Sequence, residues 1–419
     1  MLRPIKLLQP RYFADFRCIG SDCEDTCCAG MGVVIDKHTY GKYQACEHPK
    51  LKPIIETGIA LNPASVNDAT YAQVVVKDGH CPFLTDDRLC AIQQILGERA
   101  LSRTCSMFPR AMSTVDGVIE RSLYLSCPAA ARAVLLNPEP MKFDKITEEQ
   151  DERFTDFPVL NSADVTGSSK PYRYFWEVRQ FVISLLQNRA YDVWERMVML
   201  GLFCDQLNQL VVDQTTDGVP DLIQSYSGHI AQRLFDETLA GIGVHPALQF
   251  NFLAQSMEHR IFSDSVSHRF IDCYYECMQG VGYTPDTTID EAASRYTDAY
   301  EQYYKPFMEQ HEYIFENYLV NYVFKLLFPF GPQKSVYYEE KSVYSEFVLM
   351  AAHFAMLRSL LVGMSAYYQS SFGFPQIVKL FQSFAKAIEH DPAYLKRILH
   401  SLEENEMTEI AVMTALIKN

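Results

Sequence analysis

The sequence predicts an α+β protein in which a small cysteine-rich N-terminal domain with short strands precedes a mostly α-helical C-terminal domain. Cysteines are dense before residue 137, where the apolar segments are short. From Pro171 onward, apolar residues recur with the period of a helix. A chain of 419 residues is also too long for one small hydrophobic core, which favours two domains. We therefore expect a cysteine-rich domain at residues 1–136, a linker at 137–170 and a helical domain at 171–419.

The first domain contains local signals for strands and one short helix. Residues 71–79, YAQVVVKDG, predict a strand that ends at an Asp-Gly turn. Residues 110–125 predict a hairpin with Asp116 and Gly117 at the turn. The segment CPAAARAVLLN predicts a short helix that ends before Pro138. Residues 137–170 are rich in proline, serine and charge, which favours a linker.

The second domain follows the helical period. Five apolar residues at helical spacing predict one buried helix face, namely Phe175, Val178, Val182, Leu185 and Leu186. Thr288 and Glu291 predict a capping box at the start of a long helix, which Pro306 would break or kink. The most apolar stretch, residues 347–368, contains Arg358, which would cost about 2.5–3.5 kcal/mol or more at a membrane centre. We expect a buried core helix there.

The composition limits the classes of function. The chain is 48% hydrophobic and 21% charged, as in ordinary soluble proteins. Its formal net charge of −15 argues against a nucleic-acid partner and suits a basic one, such as a protein presenting lysines. The opening MLRPIKLLQPRYF lacks the apolar core of a secretion signal. We expect a cytoplasmic protein without a membrane partner.

Eight cysteines indicate a metal-binding domain. Clustered thiolates are soft ligands that select zinc, copper(I) or iron–sulfur clusters, and disulfides rarely persist in the cytoplasm. The other four cysteines, Cys46, Cys204, Cys273 and Cys277, are expected to be small buried hydrophobes. The eight candidate metal ligands are Cys18, Cys23, Cys27, Cys28, Cys81, Cys90, Cys105 and Cys127.

The spacing of these cysteines favours an iron–sulfur cluster over zinc. Cys81 and Cys127 each precede a proline, a pairing found at iron–sulfur ligands. A structural zinc site would more typically contain two CxxC knuckles, and this sequence has none. Cys27 and Cys28 are adjacent, so they supply either one ligand and one supporting thiol or ligands to two centres. Zinc and unligated redox thiols remain the alternatives.

Four segments of the chain are informative together: CIGSDCEDTCCAGMGVVIDKHTY, CPFLTDDRLCAIQQILGERALSRTCSMFPR, RSLYLSCPAAAR and, in the helical half, ENYLVNYVFKLLFPFG. They resemble the flagellin lysine-N-methylase family, which is part of a wider group named for a cysteine-rich zinc- or iron-chelating motif. The resemblance implies a cytoplasmic enzyme that methylates surface lysines of flagellin. It further implies S-adenosylmethionine as the methyl donor and a cysteine-bound cluster, [4Fe–4S] in the first instance.

The donor site is not marked by a usual nucleotide-binding loop. The glycine-containing segments AGMG, GIG and GVG do not lie between a strand and a helix with an acidic residue following. Arg103 and Arg110 flank Cys105, where a guanidinium could bind the donor carboxylate or offset cluster charge. Asn317 and Asn321 share one helix face and, if buried, need a partner or a ligand. These four residues are the candidate cofactor-binding residues.

For catalysis we expect Glu316 and Tyr318, polar residues in an apolar helix, with a tyrosine hydroxyl accepting a hydrogen bond from the lysine amine. Packing of the helical tyrosines in the core is the alternative to a lysine channel. The tyrosines concerned are Tyr300, Tyr303, Tyr304, Tyr313, Tyr318 and Tyr322. A metal-binding scaffold or sensor without methyl-transfer activity is the alternative function, and a thiol redox enzyme is a third.

Overall fold

The computed structural model describes residues 4–29, 32–65, 67–77, 79–149, 157–164, 170–262, 266–333 and 339–418. Short elements occupy the first 160 residues, as expected for the N-terminal part. In chain order they are β1 (Pro4–Pro10), α1 (Tyr12–Asp15), β2 (Val34–Ile35), α2 (Lys37–Gln44), α3 (Lys52–Gly58), β3 (Ile59–Leu61), β4 (Ala72–Val74), α4 (Ala91–Leu96), α5 (Arg103–Met107), β5 (Arg110–Val115), β6 (Val118–Leu123), α6 (Pro128–Leu135), β7 (Phe143–Glu149) and β8 (Val159–Leu160).

Helices account for the regular structure of the residues described after β8, which confirms the α+β class with a helical C-terminal part. They are α7 (Phe175–Leu186), α8 (Val193–Val212), α9 (Val219–Ala231), α10 (Asp236–Gly241), α11 (Pro246–Ile261), α12 (His268–Gly280), α13 (Ile289–Ala299), α14 (Lys305–Met308), α15 (Tyr313–Lys325), α16 (Val343–Tyr368), α17 (Phe374–Phe384), α18 (Pro392–Glu404) and α19 (Ile410–Ile417). The capping box of Thr288 and Glu291 begins α13, as predicted. A π-helical turn at Tyr300–Tyr304 separates α13 from α14, which contains Pro306.

The predicted hairpin is the centre of a sheet with strand order β7-β1-β6-β5-β8. Strands β5 and β6 pair antiparallel from Arg110 opposite Leu123 to Val115 opposite Val118. Asp116 and Gly117 both have positive φ, as the two central residues of a type I′ hairpin turn require. The hairpin prediction is confirmed.

The segment expected as a linker contributes two strands to this sheet. Strand β7 pairs antiparallel with β1 along its whole length, and β8 pairs parallel with β5. Most of β7 is solvent-exposed, so its charged sequence FDKITEE resembles a linker although its backbone is paired. Residues 150–156 and 165–169 of that segment lie outside the described part of the chain.

The N-terminal part is divided between two hydrophobic cores. A small core contains apolar residues between Val33 and Ile92, around the three-stranded sheet β2-β4-β3. The strand predicted at residues 71–79 is shorter in the structure, where β4 covers Ala72–Val74. The hairpin and α6 instead join the large core of the helical part, to which Leu123 and Val134 belong. The hairpin therefore links the cysteine-rich loops to the helices.

Helix α16 lies at the centre of the large core. By length and composition it could cross a membrane, but its apolar window is entirely buried within the described protein. The expected core helix is thereby confirmed. Arg358 is nearly fully buried, and its two terminal nitrogens donate to the carbonyl oxygens of Leu416 and Ile417. The guanidinium of Arg358 thus finds its hydrogen-bond acceptors at the end of α19.

Helices α12 and α16 approach closely because each contributes a glycine at the crossing. A Cβ atom at Gly280 would lie 1.9 Å from the carbonyl oxygen of Gly363. A Cβ atom at Gly363 would lie 2.4 Å from Sγ of Cys277. Any side chain larger than hydrogen would push the two helices apart.

Candidate functional site

Three separate segments bring five cysteines into one region. The amide of Cys81 donates to the carbonyl oxygen of Cys28 at 2.8 Å, and Ala29 pairs with His80 in an isolated bridge. A second bridge joins Leu84 to Cys90 and closes the loop between Cys81 and Cys90. These backbone contacts bring together the segments of Cys27, Cys28, Cys81 and Cys90, and Cys105 lies close enough for Cys90 and Cys27 to affect its thiol. We call these five residues the five-cysteine group: Cys27, Cys28, Cys81, Cys90 and Cys105.

The thiols of this group interact directly. The Cys27 thiol donates to Cys28, and this bond raises the pKa of Cys27 well above its usual range. The same bond lowers the pKa of Cys28, but a bond to Cys81 and burial outweigh it and raise that pKa to about 12. Cys81 accepts the hydrogen bond from Cys28, which lowers the pKa of Cys81. Burial and the neighbouring Cys105 and Cys90 oppose this effect but do not outweigh it. Each of the five thiols therefore lies within electrostatic range of several of the others.

The other three candidate ligands form a three-cysteine group: Cys18, Cys23 and Cys127. Cys127 is the N-cap residue of α6. Burial raises its pKa to about 11, and the nearby Cys23 and Cys18 add to that effect. Cys23 is also influenced by Cys27, so the two groups are neighbours. The eight sulfurs thus divide into five and three, which the sequence spacing alone did not reveal.

The two cysteine groups bring thiols close together but not to the spacing of metal ligands. Within the described ranges, no three His, Cys, Asp or Glu side chains are spaced to hold a metal ion. Cys204, Cys273 and Cys277 are fully buried in the large core, which confirms their assignment as small hydrophobes. Cys46 is only partly buried and packs against the small core. The five-cysteine group remains the richest source of soft ligands, although its thiols are not at ligand spacing.

The loop that carries Cys23 and Cys27 is fastened to the helical part by its two acidic residues. Asp25 accepts hydrogen bonds from Nζ of Lys386 at 2.9 and 3.0 Å and from Nε2 of Gln382 at 2.7 Å. Gln382 also donates to the carbonyl oxygen of Ser126, the residue before Cys127. Glu24 pairs with Arg132 and lies 3.8 Å from Arg269. Cations on α6, α12 and the end of α17 therefore hold this loop.

A charged cleft opens beside this loop. Its volume is about 280 Å³. Residues from the loop, α6, α12 and the region from α16 to α17 line it: Glu24, Arg132, Arg269, Tyr368, Pro375, Gln376 and Lys379. We refer to this set as the charged cleft.

The predicted cofactor-binding arginines Arg103 and Arg110 do not line the charged cleft. Arg103 is the first residue of α5, and the Ser102 hydroxyl accepts from the amide of Cys105. Arg110 begins β5 and donates to the carbonyl oxygen of Ser106 at 3.2 Å. Both residues flank Cys105 as the sequence implied, and their role toward a donor stays a prediction.

The polar residues of α15 are buried and bonded to the protein itself. Glu316 receives hydrogen bonds from Arg189 at 2.8 and 3.0 Å and from Arg196 at 2.9 Å. Asn317 donates to the carbonyl oxygens of Leu135 and Asn137, at the end of α6. Asn321 donates to Leu123 O in the hairpin and accepts from Tyr12. The two asparagines join α15 to the N-terminal part, whereas Glu316 joins it to the region of α7 and α8. The catalytic and donor-binding roles of these residues stay predictions.

Asn317 also lines a second cleft of about 220 Å³, which α6 and the chain after it form together with Arg11 and Lys142. It is the one predicted donor-binding residue that contacts either of the two clefts described here. The glycine segments GIG and GVG follow the ends of α10 and α12 rather than strands. Gly30 and Met31 of AGMG lie outside the described residues.

Tyr318 belongs to a buried ionic cluster that sequence reasoning missed: Tyr318, Lys325, His353, Glu389 and His390. The Tyr318 hydroxyl and Nζ of Lys325 donate to Glu389 at 2.9 and 2.8 Å. Burial opposes ionisation of Glu389, but Lys325 and His353 lower its pKa to about 2. Nε2 of His390 lies 2.8 Å from the Ser126 hydroxyl, so the cluster reaches the residue before Cys127.

His353 is the least satisfied member of the cluster. Neither ring nitrogen has a hydrogen-bond partner within the described structure, and the side chain is 1% exposed. Burial lowers its pKa to about 4, partly offset by Glu389. Two of the other tyrosines considered for a lysine channel, Tyr304 and Tyr322, are buried in the large core. Core packing therefore accounts for those two tyrosines.

Comparisons with known proteins identify the family. The family described as "FliB lysine N-methylase C-terminal domain" matches residues 179–416. A "Flagellar biosynthetic protein FliU" from Salmonella muenchen is 36% identical over 142 residues, which are 33% of this chain and 83% of that protein. Proteins named lysine-N-methylase from Salmonella choleraesuis and Salmonella typhimurium are each 35% identical over 148 residues.

The matched region covers 35% of this chain but only 36% of the length of each of those two lysine-N-methylases. No solved structure matches the chain significantly. The family match spans more than half of the chain and most of the helical part described above. The chain belongs to the FliB lysine N-methylase family.

Proposed function

We propose that this protein methylates the ε-amine of lysines on flagellin, with S-adenosylmethionine as the methyl donor and a cysteine-bound iron–sulfur cluster as its cofactor. The observation that carries the proposal is the match of a lysine N-methylase domain to residues 179–416. The relatives named lysine-N-methylase support the reaction, and the flagellar name of the Salmonella muenchen relative supports the substrate. The net charge of −15 is compatible with a lysine-bearing protein substrate.

The reaction is a polar displacement that needs no oxidant or reductant. The lysine nitrogen forms a bond to the methyl carbon while the bond from that carbon to the sulfonium sulfur breaks. The electron pair of the broken bond leaves with S-adenosylhomocysteine. Because free lysine has a pKa of about 10.4, the site must favour the neutral amine by desolvation or by a nearby base. The methylated nitrogen then releases its extra proton to water or to that base.

The described contacts limit which residues can hold that proton. Glu316 is bonded to two arginines, and Tyr318 already donates to Glu389. Both residues are nearly completely buried. They remain the residues predicted for catalysis, but the contacts of Glu316 and Tyr318 favour a structural role in the α15 packing. The proposal therefore routes no proton through them.

The five-cysteine group has the donor chemistry for the cofactor. Four of Cys27, Cys28, Cys81, Cys90 and Cys105 would hold a cluster, and adjacent Cys27 and Cys28 would supply one ligand between them. When bound, the cluster would tie three loops together and position the donor beside them. Zinc bound by the same thiols would tie the loops together but would not position the donor.

Anaerobic purification followed by iron, sulfide and zinc analysis tests the cofactor, and labelled-methyl transfer to purified flagellin tests the reaction. We expect iron with matching sulfide, lost in Cys90→Ser and retained in Cys46→Ser, the matched control from outside both cysteine groups. Mass spectrometry of flagellin peptides should find methyl groups on lysine. Metal without donor binding or transfer would favour the scaffold function, and a metal-free active enzyme would overturn the cofactor assignment.

A further inference from the structure

The charged cleft carries an excess of positive charge that the fold alone does not explain. Arg132, Arg269 and Lys379 line it, whereas Glu24 is the only carboxylate that does. Lys379 is held by Glu276 at 2.6 Å, behind the lining. Because Glu276 balances Lys379 and Glu24 balances one of the two arginines, a ligand that carries a carboxylate would balance the one cation left over.

Two buried atoms beside the cleft lack partners within the described structure. Nε of Arg269 is buried without a hydrogen-bond acceptor, and Oε2 of Glu276 is buried without a donor. Buried polar atoms are normally paired, and each exception needs an explanation, of which a bound ligand is one. The unsatisfied donor of Arg269, beside the Glu24 carboxylate in the lining, matches a zwitterion, which offers a carboxylate and an ammonium group.

The size and position of the cleft restrict the ligand further. A volume of about 280 Å³ lies at the lower limit for small-molecule sites and suits an amino-acid-sized group. Glu24 is adjacent to Cys23, and Arg132 lies one helical turn beyond Cys127, the N-cap of the same helix. The cleft therefore opens next to the three-cysteine group. A ligand anchored in it would extend toward the cysteine region.

We propose that the charged cleft binds the amino-acid end of the methyl donor, with Arg269 and Arg132 holding its carboxylate and Glu24 facing its ammonium group. This inference rests on the proposed function, because it assigns the site of that donor. It differs from the sequence expectation, which placed the donor near Arg103, Arg110, Asn317 and Asn321. In this arrangement Arg269 is a donor-binding residue that contacts the carboxylate and not the methyl group.

Binding of S-adenosylhomocysteine and of its decarboxylated analogue, measured by calorimetry on the anaerobically purified protein, tests the assignment. The wild type should prefer the carboxylate-bearing ligand. Arg269→Gln should bind it roughly 10- to 100-fold more weakly, as expected for a lost charge-assisted hydrogen bond, and should bind the decarboxylated analogue unchanged. Arg269→Lys should recover part of the preference. Arg173→Gln, which removes an exposed arginine paired with Asp217, is the matched control and should behave as wild type.

The outcomes separate the two proposals. If the wild type binds neither ligand, the proposed donor is wrong and the cleft assignment fails with it. If the wild type binds S-adenosylhomocysteine but Arg269→Gln discriminates between the ligands as the wild type does, the cleft assignment alone is overturned. Equal loss of both ligands in Arg269→Gln, with an unchanged melting temperature, would also overturn the carboxylate role.

Discussion

Asp25 accepts two hydrogen bonds from Lys386 across 361 residues of sequence, and this pair joins the cysteine-bearing loop to the end of α17. Both side chains are largely buried. The contact couples the N-terminal cysteine region to the domain that defines the family. Its removal should loosen the loop without unfolding the helices.

Lys386→Met should lower the free energy of unfolding by about 1–3 kcal/mol, because Asp25 would keep only Gln382 as a partner. Metal retention should fall as well, since Cys23 and Cys27 flank Asp25. Denaturant unfolding and metal analysis provide the two measurements. Lys396→Met is the control, because Lys396 pairs with Glu339 where both side chains are 70% exposed. Equal effects of the two variants would contradict the anchoring role of Asp25.

Gly363→Ala should destabilise the protein by about 1–3 kcal/mol or more, because the new Cβ would overlap Cys277 on α12. The matched control is Gly228→Ala in α9, where a Cβ would meet no atom within 4 Å. Alanine there should be neutral or stabilise the helix by up to about 1 kcal/mol. Thermal and denaturant unfolding of both variants test this difference. A tolerated alanine at position 363 would show that α12 and α16 separate easily.

Acidification should destabilise the protein through His353. Its pKa is lowered from the ordinary 6.5 to about 4, so the unfolded state binds a proton before the folded state does. Stability is therefore lost as the pH falls from about 6.5 toward 4, by about 1–2 kcal/mol between pH 7 and pH 5. His353→Leu should flatten this part of the stability profile. An unchanged slope in that variant would assign the pH dependence to other groups.

Glu316→Gln separates a structural role from the catalytic role predicted from the sequence. The substitution leaves buried Arg196 without its closest carboxylate and should cost about 3–5 kcal/mol of stability. Glu301→Gln, at an exposed pair with Lys305, should change stability by less than about 1 kcal/mol. Unfolding curves measured beside methyl-transfer rates distinguish the cases. Loss of transfer with unchanged stability would support catalysis by Glu316.

Local signals in the sequence predicted local structure. Asp116 and Gly117 are adjacent and favour positive φ, so the hairpin could be placed from a few residues. The apolar run that contains Arg358 similarly identified the core helix, because burial on all sides leaves no polar face. These elements depend on residues that are close together in the chain.

Elements that depend on distant partners were not predictable in the same way. Strand β7 is an exposed edge strand whose only strand partner, β1, lies more than 130 residues earlier. Lys325 and Glu389 are separated by 64 residues, and each looks like an ordinary surface charge in the sequence. The division of the cysteines into groups of five and three likewise depends on a backbone contact between Cys28 and Cys81. Spacing identifies possible ligands but not their neighbours.

The contact between Arg358 and the end of α19 has a consequence for synthesis of the protein. The buried guanidinium obtains its acceptors only after residues 416 and 417 have left the ribosome. Until then, α16 carries an unpaired charge on a largely apolar surface. The large core therefore closes late, and a chaperone that shields α16 during translation would protect the nascent chain from aggregation.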